Sequence, residues 1–457
     1  MINSNEETIA AIATPYAQGG IGIIRISGSD AKRVANRIFV PKNKTIKIEN
    51  LEGYRALLGH VVDQDLATLD EAVLLNFNAP KSYTGEDVVE LSVHSGLYIL
   101  KQLLRSALAA GARIAEPGEF TKRAFLNQKL SLTQAEAVMD LISAGTKQAY
   151  TAAFDLKQGA LHKKIAEISE DILDLSSHIA AFIDYPEEEV ELVDIEKLES
   201  KIKQILDELR TLLESYESGK MIKEGISVAV VGKPNVGKST IMNLLARCDK
   251  SIVTDVPGTT RDVIEESVNL DGIMLNIADT AGIRQTCDVV ENIGVKRAID
   301  KLNQAYLILA IFDASRPVDE LDNWILKETS GKNVIAVINK LDLPLKLNRE
   351  YIKSKVSCVV EGSTHDKNFR NLLSEAITKK IGMNAYSGCV LANERQYNCV
   401  QQAIDRLEEV QKTLKTGTLD VISTQMEEAL SFLYELTGQN TSDSILYDVF
   451  NRFCIGK

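Results

Sequence analysis

The sequence has no C-x-x-C pair among its six cysteines, which stand at positions 248, 287, 358, 389, 399 and 454. Its five histidines form no H-E-x-x-H motif. Disulfide and zinc readings are therefore poor, and a reducing, cytoplasmic setting is expected. Long apolar runs are also missing. The nearest candidate, Ala305 to Phe312, has only the length of a strand, so no membrane span is expected. The opening residues, Met1-Ile-Asn-Ser-Asn-Glu-Glu7, carry neither a basic region nor an apolar core, and no secretion signal is read there. Positive charge is in deficit: 52 Lys and Arg face 64 Asp and Glu, a net charge of −12. That balance argues against a broad nucleic-acid-binding surface, so any contact with RNA needs a local patch or a basic partner. The rest of the composition is that of an ordinary globular protein. It is 45% hydrophobic and 25% charged over 457 residues, enough chain for two or three domains.

The stretch around which the chain is organised is Gly232-Lys-Pro-Asn-Val-Gly-Lys238-Ser239. An apolar run, Ile226 to Val231, precedes it and reads as a buried strand. Thr240 to Ala246 follows and reads as the opening of a helix. Strand, glycine loop and helix form the context of a phosphate-binding loop. Glycines let successive backbone N–H groups of Asn235, Val236, Gly237 and the helix start (to Thr240) face polyphosphate oxygens. The helix N-terminus adds partial positive charge. Lys238 is placed for the β- and γ-phosphates, and Ser239 for a hydroxyl on Mg²⁺.

Base identity is read farther along. A second apolar strand, Asn333 to Ile338, runs into Asn339-Lys340-Leu341-Asp342. A carboxylate only accepts hydrogen bonds, and guanine offers it two adjacent donors, whereas adenine presents an acceptor at N1. Asp342 thus selects guanine, while Asn339 and Lys340 brace the loop and cover the ring. Between these motifs stands Asp279-Thr280-Ala281-Gly282, after a strand from Met274 to Ala278. Asp279 is expected to hold Mg²⁺ through water, and the Gly282 N–H to sense the γ-phosphate. Gly258-Thr259-Thr260-Arg261 supplies Thr260 as the second hydroxyl on the metal. The four motifs in this order point to GTP as ligand.

The domain carrying them runs from 221 to 380, with strands and helices alternating as in a doubly wound sheet. Ser218-Gly219 and Gly225 mark its expected hinge. Residues 1–118 read as β-rich with some helix. In the strand Ile21 to Ile26, Arg25 faces outward or meets a ligand. In the strand Val88 to Val93, Glu90 shares a face with Ser92 and His94. Residues 119–220 and 381–457 read as helical, so the nucleotide domain is an insertion in a helical one. Pro117 to Lys129 reads as a turn and a basic amphipathic helix, either a solvated face or a contact to an anion or RNA. Ser131-Leu-Thr-Gln134 resembles a capping box. Cys454 is either packed or reactive.

Three blocks reach beyond the GTPase motifs. They are Ala13-Thr-Pro15 with Gly19-Gly20-Ile-Gly-Ile-Ile-Arg25-Ile-Ser-Gly28; Ser82-Tyr-Thr-Gly-Glu-Asp87 with Pro117-Gly-Glu-Phe-Thr-Lys-Arg-Ala-Phe-Leu-Asn127; and the terminal Phe453-Cys-Ile-Gly-Lys457. On these the chain resembles, from end to end, the tRNA modification GTPase family MnmE (TrmE), among the TrmE-Era-EngA-like GTPases. The resemblance implies a multidomain α/β and α protein. Its parts would be an N-terminal α+β folate-binding-like dimerisation domain, a helical domain, and an inserted Ras-like P-loop G domain. It implies a homodimer that works with the FAD-containing partner MnmG, as a heterotetramer, on the wobble uridine of certain tRNAs. A tetrahydrofolate derivative, 5-formyltetrahydrofolate, would be the one-carbon donor. Mapped by motif, the folate site falls on Arg25, Glu90, Lys129 and Lys457, and Cys454 joins Lys238 and Glu291 as a catalytic candidate.

Ile283 stands where Ras-like enzymes keep a water-orienting Gln, so hydrolysis needs another device. The resemblance implies K⁺ held by Asn235, Thr254, Val256 and Thr259, with Glu291 positioning water; Arg284 is the fallback. The guanine loop is expected in degenerate form at Ser357-Cys358-Val359. An RNA- or ribosome-associated assembly GTPase is the competing reading, since it shares every G motif.

Overall fold

The computed structural model describes residues 7–184, 194–246, 266–270, 272–279, 299–382, 388–414 and 417–457. The chain divides into two compact units. One comprises Met1–Met139, Lys157–Glu199 and Asp405–Lys457; the other comprises Asp140–Leu156 and Ser200–Ile404.

In the first unit the chain runs β1 (Ile9–Ile12), β2 (Gly19–Ser27), α1 (Ala31–Ile38), β3 (Phe39–Pro41), β4 (Arg55–Val62), β5 (Thr68–Phe77), β6 (Val88–Ser95), α2 (Leu97–Ala109) and β7 (Arg113–Ile114). The seven strands form one sheet in the order β3-β4-β5-β6-β2-β1-β7. Neighbours are antiparallel except β1 and β7. One face is apolar: Ile24, Ile26, Leu74, Val89 and Leu91 pack with Val34, Ala35, Leu100 and Leu103 of α1 and α2. The alternation that buries Val89, Leu91 and Val93 turns Glu90 and Ser92 to the opposite, half-exposed face. Register then sets Arg25 directly across from Glu90. β4 exposes the apolar Ala56 and Leu58, so its apolar residues do not mark one buried side.

Helices α3 (Glu119–Leu126), α4 (Leu132–Ser143), α5 (Lys147–Lys157), α6 (Ala160–Asp184) and α7 (Ile195–Glu224) follow. The capping box expected at Ser131 is present. The Ser131 N–H donates to Gln134 Oε1 at 2.9 Å, and the Gln134 N–H returns to Ser131 Oγ at 3.3 Å. The α3 expectation needs correction. Arg123 lies on no solvated face: its side chain is 2% exposed and pairs with Glu86 and Glu119. The hinge reading changes too. Helix α7 continues through Ser218-Gly219 and stops only at Gly225, whose φ of +79° lies in the left-handed region that favours glycine. A side chain at Gly219 would instead collide with the Leu391 carbonyl.

The second unit contains β8 (Ile226–Gly232), α8 (Lys238–Ala246), β9 (Glu266–Leu270), β10 (Ile273–Asp279), β11 (Leu307–Asp313), α9 (Glu320–Glu328), β12 (Val334–Asn339), α10 (Arg349–Lys355), β13 (Val359–Glu361) and α11 (Phe369–Ile381). Its sheet runs β13-β12-β11-β8-β10-β9, parallel except for β9. Central strands β8, β11 and β12 are apolar and buried on both faces, as interior parallel strands must be. The chain leaves β8 toward β10 on one side and returns through β11 on the other. A topological switch point therefore lies at the carboxyl end of β8, where a doubly wound sheet binds its ligand. Helices α12 (Glu394–Thr413), α13 (Leu419–Thr437) and α14 (Asp443–Phe450) complete the chain. Among the described residues no helix is long and apolar enough to cross a membrane.

Candidate functional site: a phosphate loop clasped by the guanine motif

Three positions shape the loop between β8 and α8. Gly232 and Gly237 adopt φ of +156° and +101°, and Asn235 takes +62°. Such alternation aims successive backbone N–H groups into one concavity, an anion-binding nest. A Cβ at Gly237 would strike the Asn339 side chain, so close approach as well as φ demands glycine there. Lys238 folds back over the loop and donates to the carbonyls of Gly232 and Lys233 at 2.8 and 2.9 Å. Ser239 and Thr240 are exposed on the first turn of α8. Val236 is buried and anchors the loop to the core. Lys233 ties the loop outward: its ammonium lies 2.6 Å from both Asp319 and Asp322 at the α9 N-terminus.

The guanine motif grips this loop from β12. Asn339, at the end of that strand, is buried and donates to the Val236 carbonyl at 2.8 Å. Lys340 donates to the Asn235 carbonyl at 2.6 Å. Asp342 is exposed at the rim. A hydrogen bond from Ser363 lowers its proton affinity, so the carboxylate form that guanine requires is favoured.

The guanine-loop assignment is corrected by this geometry. Val359 already belongs to β13, opposite Ala336, and Cys358 bonds through its carbonyl to the Ala336 N–H. Ser357 to Val359 thus lie at the wrong end of the strand, about 10 Å of extended chain short of Asn339. The loop after β13 meets the motif instead. Gly362 N–H donates to Ile338 O at 3.0 Å, Leu341 N–H to Gly362 O at 3.2 Å, and Thr364 N–H to Asn339 Oδ1 at 3.3 Å. Gly362-Ser363-Thr364 was missed; the signal was a small-residue turn directly after the Val359-Val360 pair.

Other expected residues cannot be placed. Thr254, Val256, Thr259, Thr260, Thr280, Ala281, Gly282, Ile283, Arg284 and Glu291 lie outside the described residues. Asp279 closes β10, beside Val230 of β8. Among the described residues no group of three or more His, Cys, Asp or Glu is placed to hold a metal ion.

A second constellation lies in the first unit. Arg25 Nε donates to Glu90 at 2.7 Å, and its Nη1 to the Gly456 carbonyl at 3.2 Å. The guanidinium sits over the rings of Phe120 and Tyr83, 5.5 and 5.8 Å from their centroids. Tyr83 Oη bonds Thr121, and burial raises its proton affinity. The C-terminal segment docks here by its backbone: Phe120 N–H donates to Lys457 O at 3.2 Å, and Gly118 N–H to Cys454 O at 3.4 Å. Gly456, at φ +97°, fits because a Cβ would collide with the Ile12 carbonyl. Burial, then the charge of Arg25, depress the pKa of Lys457. Two cations held so close, with Glu90 to balance them, suit an anionic ligand that also offers donors. Arg25 and Glu90 therefore pair, and Lys457 lies within range of their charges. Lys129 stands apart, donating to Pro80 O at 3.0 Å in the loop that carries Tyr83. The Cys454 side chain is exposed.

The fold and the first of these sites define a multidomain protein with a P-loop nucleotide-binding domain. The family model of the MnmE helical domain matches residues 132–454, and that of the GTP-binding protein TrmE N-terminus matches residues 8–129. A tRNA modification GTPase MnmE of Acetivibrio thermocellus is 40% identical over 461 residues, covering 99% of this chain and 99% of that protein. One of Streptococcus thermophilus is 39% identical over the full length of both. Among solved structures, Aquifex aeolicus Era bound to GDP.AlF4⁻ is similar over 40% of this chain and 66% of that one, at 28% identity and a TM-score of 0.29. The chain belongs to the MnmE (TrmE) family of tRNA modification GTPases.

Proposed function

We propose that this protein binds and hydrolyses GTP at the loop between β8 and α8 and couples that cycle to modification of tRNA. One observation carries the reading: Asn339 and Lys340 clasp the Asn235–Val236 segment, which ties a phosphate nest to an exposed carboxylate, Asp342, suited to guanine. In this reading Lys238 supplies charge to the β- and γ-phosphates and the α8 N-terminus adds its dipole. Ser239 and Thr260 offer hydroxyls to Mg²⁺, which would neutralise phosphate charge, and Asp279 supports them. Asn235, Thr254, Val256 and Thr259 would hold K⁺, and Glu291 would orient the attacking water.

The second constellation takes a tetrahydrofolate derivative, 5-formyltetrahydrofolate, in the same reading. Glu90 is an acceptor for pterin N–H groups, while Arg25, Lys457 and Lys129 meet the acidic tail. Cys454, beside Lys457, is the candidate nucleophile. The protein would act as a homodimer with the flavoprotein MnmG on the wobble uridine. The domains proposed for this work are 1–118 for folate and dimerisation, 119–220 with 381–457 as the helical part, and 221–380 for GTP. A generic assembly GTPase would not need the Arg25–Glu90 pair or a docked C-terminal segment.

The test is Asp342→Asn, with nucleotide affinity measured for GTP and xanthosine triphosphate. Guanine loses its acceptor and xanthine gains a donor, so preference should invert by about 100-fold or more. Unchanged preference refutes the reading.

A further inference from the structure

Asp313 belongs to none of the motifs above, yet it stands at the centre of the clasp. Strands β11 and β12 run parallel with Asp313 in register with Asn339, so the next residue, Lys340, emerges beside the Asp313 carboxylate. That carboxylate is 4% exposed. Its Oδ1 accepts from the Ser315 N–H at 2.9 Å and from Ser315 Oγ at 2.6 Å. Its Oδ2 accepts from Lys340 Nζ at 2.7 Å. Burial favours the acid form, but the bonds from Lys340 and Ser315 outweigh it and leave the carboxyl below its usual range. The same Lys340 ammonium reaches the Asn235 carbonyl. Lys340 and Asn235 both have positive φ, +66° and +62°, a region that asparagine enters readily but lysine seldom does.

We propose that Asp313 is a positioning residue of the nucleotide site, fixing the Lys340 ammonium against the Asn235 corner of the phosphate loop. The inference rests on the GTP-binding reading and adds a residue to it. A lysine has a long, flexible stem, and one bond to a neutral carbonyl leaves it many rotamers. A buried, ionised carboxylate with its other oxygen already occupied removes that freedom before nucleotide arrives. The effect falls on retention of any nucleotide, because Asp313 acts through Lys340 and the loop rather than on the base edge that Asp342 reads.

The experiment uses the full chain and a fluorescent GDP, with release followed by stopped flow. Asp313→Asn is isosteric and removes the charge; Ser315→Ala removes one support and leaves the core intact. Release should quicken roughly tenfold or more in Asp313→Asn and by a smaller factor in Ser315→Ala. The GTP-to-xanthosine-triphosphate preference should stay at the wild-type value in both. In a Lys340→Met background, Asp313→Asn should add little further loss. Release within about twofold of wild type in both single variants overturns the proposal. So does an equal loss with and without Lys340, which marks a merely structural carboxylate. A wild-type protein that fails to retain GDP overturns the GTP-binding reading itself.

Discussion

Replacing Arg123 with Met should destabilise the first unit more than any neighbouring surface change. The guanidinium donates to Glu86 at 3.0 and 3.1 Å, to Glu119 at 2.9 Å and to the Glu7 carbonyl at 2.8 Å. Methionine fills most of the space and makes none of these bonds. Breaking a buried pair by removing one partner typically costs about 3–5 kcal/mol. Two features point to the lower end here. Glu86 is 17% exposed and keeps the Ser27 hydroxyl at 2.6 Å. Glu119 keeps Arg113 at 2.6 Å. About 3 kcal/mol is therefore expected, against about 1 kcal/mol or less for Arg113→Met, whose side chain is 32% exposed. At about 2–4 °C per kcal/mol for a unit of this size, the difference is legible in a melt. The single tryptophan, Trp324, lies in the other unit, so its fluorescence is an internal reference for circular dichroism.

Acid adds a second signature for the same variant. Burial acts to raise the Glu119 pKa, but bonds from Arg113, the Glu116 N–H and Arg123 hold it below its ordinary value of 4.5. A depressed carboxylate contributes stability that is complete above the unfolded pKa and is lost as pH falls through the folded one. Without Arg123 that loss should begin at higher pH. An Arg123→Met melt no lower than that of Arg113→Met, or a drop shared equally by the Trp324 signal, would refute the reasoning.

Gly237→Ala should abolish detectable GDP binding while the apo protein still folds, because its Cβ meets Asn339 inside the clasp; calorimetry of the purified variant checks this. Arg25→Ala should lose 5-formyltetrahydrofolate binding by about 10-fold or more, the loss of a charge-assisted pair, with GTP turnover unchanged. Equal folate affinity would count against that site. Turnover of GTP should be fast in KCl and slow in matched NaCl, and Asn235→Ala should remove the difference. Equal rates in both salts would exclude the potassium role and leave Arg284 as the next candidate.

Much of the nucleotide domain was legible because its signals are local. A fully buried parallel strand needs an unbroken apolar run, and its end must carry the residues that face the crevice. Ile226–Gly232 and Val334–Asn339 both read that way, and each runs straight into its motif. The guanine loop was misplaced for the same kind of reason. β13 has only three residues, too few to show a period, so a Ser-Cys pair ahead of it was taken for the turn behind it. Strand β4, paired between β3 and β5, showed no clean alternation because Ala56 and Leu58 are exposed alongside Arg55 and His60.

Charge was harder to read than hydrophobicity, and Arg123 and Asp313 show why. A basic residue at helical spacing has the same local signature whether it faces water or an opposite charge. What separates the cases is the arrival of Glu86, 37 residues earlier in the chain, and of Glu119, one turn back on the same helix. Asp313 and Lys340 are 27 residues apart, and only parallel register makes them neighbours. Desolvation makes either partner costly alone, so neither side chain can be assigned a role before both strand order and register are known. The Arg25–Glu90 pair has that character too: each residue alone reads as an outward charge on a strand, and antiparallel register across β2 and β6 makes them one site. Strand pairing therefore shows which carboxylate holds which cation, Asp313 for Lys340 and Glu90 for Arg25.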